Sequence, residues 1–134
     1  MQMKLIDEKI SQMANGKPMA ILGDFNFGPT FPEQNIVGDF EKNYWDFVGI
    51  GYLDPIAWPE YRACSFCNSN TFGKPTDASN LIDHIFLKNI DKARVLKASL
   101  IMKEKRSVQR GGRGPQLETN LSDHYGLMLE LLNN

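Results

Sequence analysis

The sequence predicts an α/β (α+β) fold in which helices are layered on β-sheet, and three observations carry that prediction. Met3, Ile6, Ile10 and Met13 recur at the spacing of one helical face. A wholly apolar run, Met19-Ala20-Ile21-Leu22, follows almost at once and suits a strand buried on both faces. Three later apolar stretches, residues 81–87, 94–102 and 127–132, read as further strands. A helix feeding directly into a buried strand belongs to a layered α/β arrangement.

Taken in order, the first helix stops at Asn15-Gly16, with Pro18 just beyond. Residues 28–33, Gly-Pro-Thr-Phe-Pro-Glu, are expected to turn. Residues 33–48 suit a short helix with Ile36, Val37, Phe40, Tyr44 and Phe47 on its apolar side. Gly49, Gly51 and Pro55 break it, and Trp58-Pro59 falls in the loop beyond. Residues 62–67 read as a strand. Residues 68–80, rich in Asn, Ser, Thr, Gly and Pro, read as a loop, and residues 103–120 as a long polar loop. Loops this long in a compact domain are often functional.

The chain has 134 residues, which fits one domain spanning 1–134. With 42% hydrophobic and 23% charged residues it has the composition of a globular protein able to bury a core. A net charge of −1 does not point to nucleic acid, so any attraction to phosphate must be local. No run of about 18 apolar residues is present, so no transmembrane segment is expected. The N-terminal stretch has acids where a signal peptide needs an apolar core, which makes a cytoplasmic location the default expectation.

Cys64 and Cys67, in Cys-Ser-Phe-Cys, invite a zinc or redox reading. A structural zinc needs about four ligands, and the chain offers only two histidines besides. A redox Cys-x-x-Cys usually opens a helix, whereas this stretch reads as extended. The expectation is two ordinary buried or half-buried thiols.

Three motifs carry chemistry. Gly23-Asp24-Phe25-Asn26 follows directly on the run 19–22. By strand alternation Asp24 and Asn26 should point one way, and Phe25 and Phe27 the other, into packing. A carboxylate and an amide would then stand together at the C-terminal end of a strand, where α/β sheets place ligands. The competing reading is an Asx-type turn, with both side chains bonded to their own backbone. The second motif is Asp83-His84 within Leu81–Leu87. A carboxylate inside an apolar strand needs a partner, and alternation denies it its own neighbour. A structural ion pair for Asp83 and a satisfied structural role for His84 are the plain readings. The third is Ser122-Asp123-His124, just before the last strand. Asp123 can hold a hard cation through oxygen, and His124 can touch a phosphate or move a proton near neutral pH.

In combination and in this order, the three motifs are similar to the endonuclease/exonuclease/phosphatase superfamily, which includes deoxyribonuclease I, apurinic endonucleases, inositol-polyphosphate phosphatases and neutral sphingomyelinases. The resemblance runs over residues 19–132. The closing segment Asn120–Leu127 looks most like the sphingomyelinase-like members. It implies the C-terminal half of a four-layer α/β/β/α sandwich, with a mixed, mostly antiparallel sheet and one or two flanking helices. It also implies a divalent-metal-dependent phosphoester hydrolase, of the phosphodiesterase kind, using Mg2+ or, in its place, Mn2+. The residue matching Asp24 polarises the attacking water and lies at the metal, and Asn26 donates to the charge developing on phosphorus. His124 contacts the scissile phosphate, Asp83 orients His124 as a dyad across neighbouring strands, and Asp123 lies in the metal site. Water activation, charge stabilisation and a cation on the phosphate oxygens together make a coherent mechanism.

The departure is equally specific. The family's principal metal-binding glutamate precedes the Asp-x-Asn motif and sits at a strand end, whereas Glu8 lies in the helical stretch and nothing else matches it. Half the sandwich is missing with it. The expectation is a piece of a longer protein, a truncated product that no longer catalyses, or a chain whose second copy replaces the missing half. In each case something covers the exposed sheet. The isolated chain is then expected to be inactive, and the rival reading is a non-catalytic half-domain serving protein interaction or homodimerisation.

Residues 97–113 hold Lys97, Lys103, Lys105, Arg106, Arg110 and Arg113 against Glu104 alone. Arg106 and Arg110 are candidate substrate-binding residues facing a phosphate or headgroup. The plain alternative is a solvated, Gly-rich mobile loop. The substrate stays open between a lipid phosphodiester, a nucleic acid and an inositol phosphate. Trp45, Trp58 and the Phe-rich loops lean toward a lipid or small substrate.

Overall fold

A computed structural model describes residues 2–109 and 114–133. It is a mixed α/β structure of two helices and three two-stranded antiparallel sheets. The helices are α1 (Gln2–Ala14) and α2 (Glu41–Gly49). The strands are β1 (Met19–Asp24), β2 (Asp83–Lys88), β3 (Val95–Ile101), β4 (Arg106–Gln109), β5 (Gln116–Thr119) and β6 (Gly126–Leu131). β1 pairs β2, β3 pairs β6 and β4 pairs β5. No helix among the described residues is long and apolar enough to cross a membrane.

The core lies on both faces of β2: Ile85 and Leu87 are buried on one, and the aromatic layer lies on the other. His84, Phe86 and Lys88 alternate toward the helices, and Phe86 meets Phe25, Phe27, Tyr44, Phe47 and Tyr52 at centroid distances of 5.0–6.3 Å. Such tilted and edge-on contacts suit the ring quadrupoles, and each fully buried Phe contributes roughly 1.5–3 kcal/mol from burial. α1 docks on this layer through Asp7, which pairs with Lys88 and accepts from the Tyr52 hydroxyl at 3.1 Å. The Lys88 hydrogen bond, against the opposing effect of burial, holds the Asp7 carboxyl below its ordinary range. Burial, then the hydrogen bond to Asp7, pushes Tyr52 up to about 12.

Of the expected α1 face, Ile10 packs against the core while Ile6 and Met13 stay exposed; the side chain of Met3 lies outside the described residues. Phe25 and Phe27 turn into the core, as expected, although the strand itself ends at Asp24. Gly28 is obligatory there, because a Cβ would stand 1.7 Å from the Leu81 carbonyl oxygen.

Six expectations need correction. β1 is not buried on both faces. It pairs on one side only, and Ala20, Leu22 and Asp24 line an open face, with Leu22 67% exposed. The helix expected over 33–48 begins only at Glu41, because Pro32–Gln34 form a separate 3-10 turn and Phe40 caps α2 in a left-handed conformation. Val37 and Phe40 are consequently exposed. Residues 62–67 are not a strand; Phe66 alone bridges Asn80 and His124. Residues 103–120 are not one loop but contain the β4–β5 hairpin, with Val108 opposite Leu117. Both hairpin strands are exposed, so no apolar alternation marked them in the sequence. Asp24 and Asn26 do not continue one alternation, because the strand ends at Asp24 and Asn26 takes φ +50°. Cys64 and Cys67 are joined in a disulfide, their Cα atoms 5.4 Å apart, rather than standing as two thiols.

Candidate active site

Three chain segments converge at one end of β1–β2. β1 ends on Asp24, directly opposite Asp83 at the start of β2. Like charges opposite one another are unfavourable unless something compensates them. His124, just before β6, supplies part of that compensation: its Nδ1 donates to Asp83 Oδ2 at 2.7 Å. Side-chain ligand atoms of Asp24, Asp83 and His124 all lie within 4.8 Å of one another. Nε2 of His124 has no hydrogen-bond partner among the described residues.

Electrostatics sharpen the histidine. Partial burial pulls its pKa down, but the Asp83 hydrogen bond and charge, followed by the charges of Asp24 and Asp123, outweigh that and raise it above the ordinary value. Asp24 is exposed, and its Oδ1 accepts from the Asn26 backbone N–H at 2.8 Å, closing an Asx turn. Gly23 enters that turn at φ +150°, a conformation open to glycine. A groove of about 300 Å³ opens beside Asp83 between Leu22, Ile85, Tyr125 and Leu127.

The other expected site residues fare differently. Asn26 is exposed, and its backbone N–H bonds Asp24. Asp123 is exposed, accepts from the Ser122 hydroxyl at 3.2 Å and also lies outside the trio, though its charge is felt at His124. Arg106 begins β4, exposed and opposite Thr119. Arg110 and Arg113 lie outside the described residues.

His84, next to Asp83, faces the opposite way. Both its ring nitrogens have an oxygen partner at 2.8 Å: Nδ1 meets Asp54 Oδ2, and Nε2 meets the Phe27 carbonyl. Its side chain is fully buried, so it is a structural histidine, as the plain reading has it. Its partner Asp54 carried no signal in the sequence. Nor did Ser65, Asn70 and Asn120, three buried polar residues that brace the site's loops. Asn70 Nδ2 donates to the Ser122 carbonyl, and Asn120 Oδ1 accepts from the Thr71 backbone N–H.

Comparison with protein-family models, with curated proteins and with solved structures finds no match for this chain.

Proposed function

We propose that this chain carries catalytic residues of a divalent-metal-dependent phosphoester hydrolase of the phosphodiesterase kind, related to the endonuclease/exonuclease/phosphatase superfamily. The observation that carries the reading is the convergence of Asp24, Asp83 and His124 from three separate segments, with His124 Nδ1 held by Asp83 and Nε2 without a partner among the described residues. A bound, oriented imidazole above a pair of carboxylates can bind a phosphate oxygen or move a proton on it.

The donor set fits a hard divalent cation. Asp24 and Asp83 stand opposite one another, and Asp123 adds a third nearby negative charge, an arrangement that repels a phosphate unless a cation intervenes. Magnesium is commonly held by one or two carboxylates together with substrate phosphate, and manganese accepts the same oxygens. Asp24 and Asp83 would hold it, with Asp123 as a further carboxylate. When bound, the ion supplies Lewis-acid polarisation of the phosphoryl oxygens and acidifies water. In this reading Asp24 orients the attacking water and accepts its proton. The Asn26 amide donates to the developing charge, His124 Nε2 contacts the scissile phosphate, and Asp83 fixes the imidazole tautomer. Arg106 and Arg110 would draw in an anionic substrate. The class remains a lipid phosphodiester, a nucleic acid or an inositol phosphate.

The deciding experiment is hydrolysis of a chromogenic phosphodiester by the protein as it occurs, with Mg2+ or Mn2+ and with chelator. Activity should require the cation and fall by about 100-fold or more in both Asp24→Ala and His124→Ala. Undiminished activity in both variants would sink the mechanism.

A second reading has its own support. Leu22 on β1 and Leu96 on β3 are large, apolar and exposed. They suit a half-sandwich whose open sheet is covered by another segment or by a second copy, with or without catalysis. Sedimentation as a 15.2 kDa monomer would count against the second copy.

A further inference from the structure

The two residues enclosed by the Cys64–Cys67 disulfide stand where the halves of the site meet. Ser65 is fully buried. Its hydroxyl oxygen accepts from the backbone N–H groups of Ile82 at 3.2 Å and Asp83 at 3.1 Å. Its backbone carbonyl accepts from the N–H of Tyr125, next to His124, at 2.9 Å. One residue therefore ties the backbone at Asp83 to the backbone beside His124. Phe66 adds a second tie. It exchanges backbone hydrogen bonds with Asn80, forms an isolated bridge to His124, and sets its ring 5.2 Å from the His124 imidazole. Asp83 and His124 are 41 positions apart. Among the described strand pairings β2 is joined to β1 and β6 to β3, so no ladder joins β2 directly to β6. The strap is therefore a hydrogen-bonded backbone link between the two sides of the 2.7 Å Asp83–His124 contact, added to the packing of β2 against β6.

We propose that Ser65 is a positioning residue for the Asp83–His124 pair, and that the disulfide flanking Ser65 and Phe66 makes that positioning redox-sensitive. Cys64 is half-buried and Cys67 buried, so the reductant reaches the bond from the Cys64 side. A small dithiol attacks Cys64 Sγ as its thiolate. The Sγ–Sγ bond breaks, Cys67 leaves as thiolate and takes a proton, and a mixed disulfide forms on Cys64. The reductant's second thiol then displaces Cys64, which also leaves as thiolate and is protonated. Two electrons and two protons have passed to the protein, and the reductant ends as its own disulfide. Opening the ring frees the backbone of Ser65 and Phe66 and loosens both ties.

The geometric claim stands on its own, whereas its meaning for catalysis rests on the phosphoesterase reading. The test separates the two. Imidazole 15N shifts are recorded on metal-free protein at one alkaline pH, where they report which ring nitrogen carries the proton. His84, held by Asp54 on the other face of β2, is the internal reference. In the oxidised protein His124 should show a single Nδ1–H tautomer. After dithiothreitol, with two free thiols confirmed by alkylation and mass measurement, its two nitrogen shifts should move toward the average of exchanging tautomers while those of His84 stay in place. Ser65→Ala should reproduce the change under oxidising conditions. If His124 does not move in the fully reduced protein, the proposal is overturned. It is equally overturned if His84 moves as much, because the disulfide then holds the whole core. Should Ser65→Ala not fold, the reduction experiment decides alone. In the hydrolysis assay, reduction should lower kcat by about tenfold or more and leave KM little changed. A protein inactive even when oxidised defeats the functional reading, while the shifts still decide the positioning claim.

Discussion

β2 carries two Asp–His pairs, one on each face, and consecutive residues supply them. His84 pairs with Asp54 among the aromatic rings, with side-chain exposures of 0% and 1%. Asp83 pairs with His124 at the rim, with exposures of 16% and 25%. The distances are nearly the same, 2.8 and 2.7 Å, so hydrogen-bond geometry does not distinguish them. Occupancy of the second imidazole nitrogen does. In His84 it is consumed by the Phe27 carbonyl, and the ring is a fully satisfied strut. In His124 it has no partner among the described residues, and the ring lies in the cluster with Asp24 and Asp83. The buried pair thus leaves neither ring nitrogen unpartnered, whereas the rim pair leaves one open among the described residues.

The largest effect should come from the buried pair. Asp54→Ala strands the His84 ring in the aromatic core and should cost roughly 3–5 kcal/mol, read as a lower denaturant midpoint. A loss under about 1 kcal/mol would mean that the two faces are energetically alike. Next comes the backbone approach that positions the Phe27 carbonyl. Gly28→Ala drives a methyl into Leu81 and should cost about 1–3 kcal/mol, with the His84 resonances shifting in the same variant. The rim pair should matter far less for stability. Asp83→Asn should lower it by about 1 kcal/mol, because the amide oxygen can still accept from His124 Nδ1. The same variant should nonetheless lose most of any phosphodiesterase activity.

The smallest effect is a pH dependence. The folded His124 pKa lies above its unfolded value of about 6.5, so the folded state binds its proton more tightly. The associated stability is fully present below that unfolded value and is lost as pH rises through the raised folded value. Urea midpoints of the native chain should therefore decline over that window, and in His124→Ala the decline should be absent. An equal decline in the variant would assign it to another group.

The reading of separate elements from sequence succeeded where an apolar period marks them. α1 and the strands β1, β2, β3 and β6 were marked by runs or faces of Ile, Leu, Val and Met, even though Ile6, Met13 and Leu22 of those faces stay exposed. The exposed hairpin β4–β5 was not, because cross-strand hydrogen bonds and not burial define it, and those leave no period in the residues. The helix start at Glu41 was hidden for a similar reason: the Glu41 carboxylate bonds Thr30, and Thr30 in turn accepts from Gly38, contacts 8 and 11 positions apart. Within the site, Asp24 and His124 were visible as polar groups at strand ends and Asp83 as a carboxylate inside an apolar strand. Ser65 was not, since a serine accepting buried backbone N–H groups looks like any other serine until the chain is folded around it.

Alternation along β2 placed Asp83 and His84 on opposite faces from sequence alone, because the side-chain period of a strand is two. That one rule already required each of them to find a different partner. Which partner each would find was decided only by the tertiary structure, since Asp54 lies 30 positions from His84 and His124 lies 41 from Asp83. Contacts across such separations depend on how loops close and sheets stack, and no local pattern of residues encodes that.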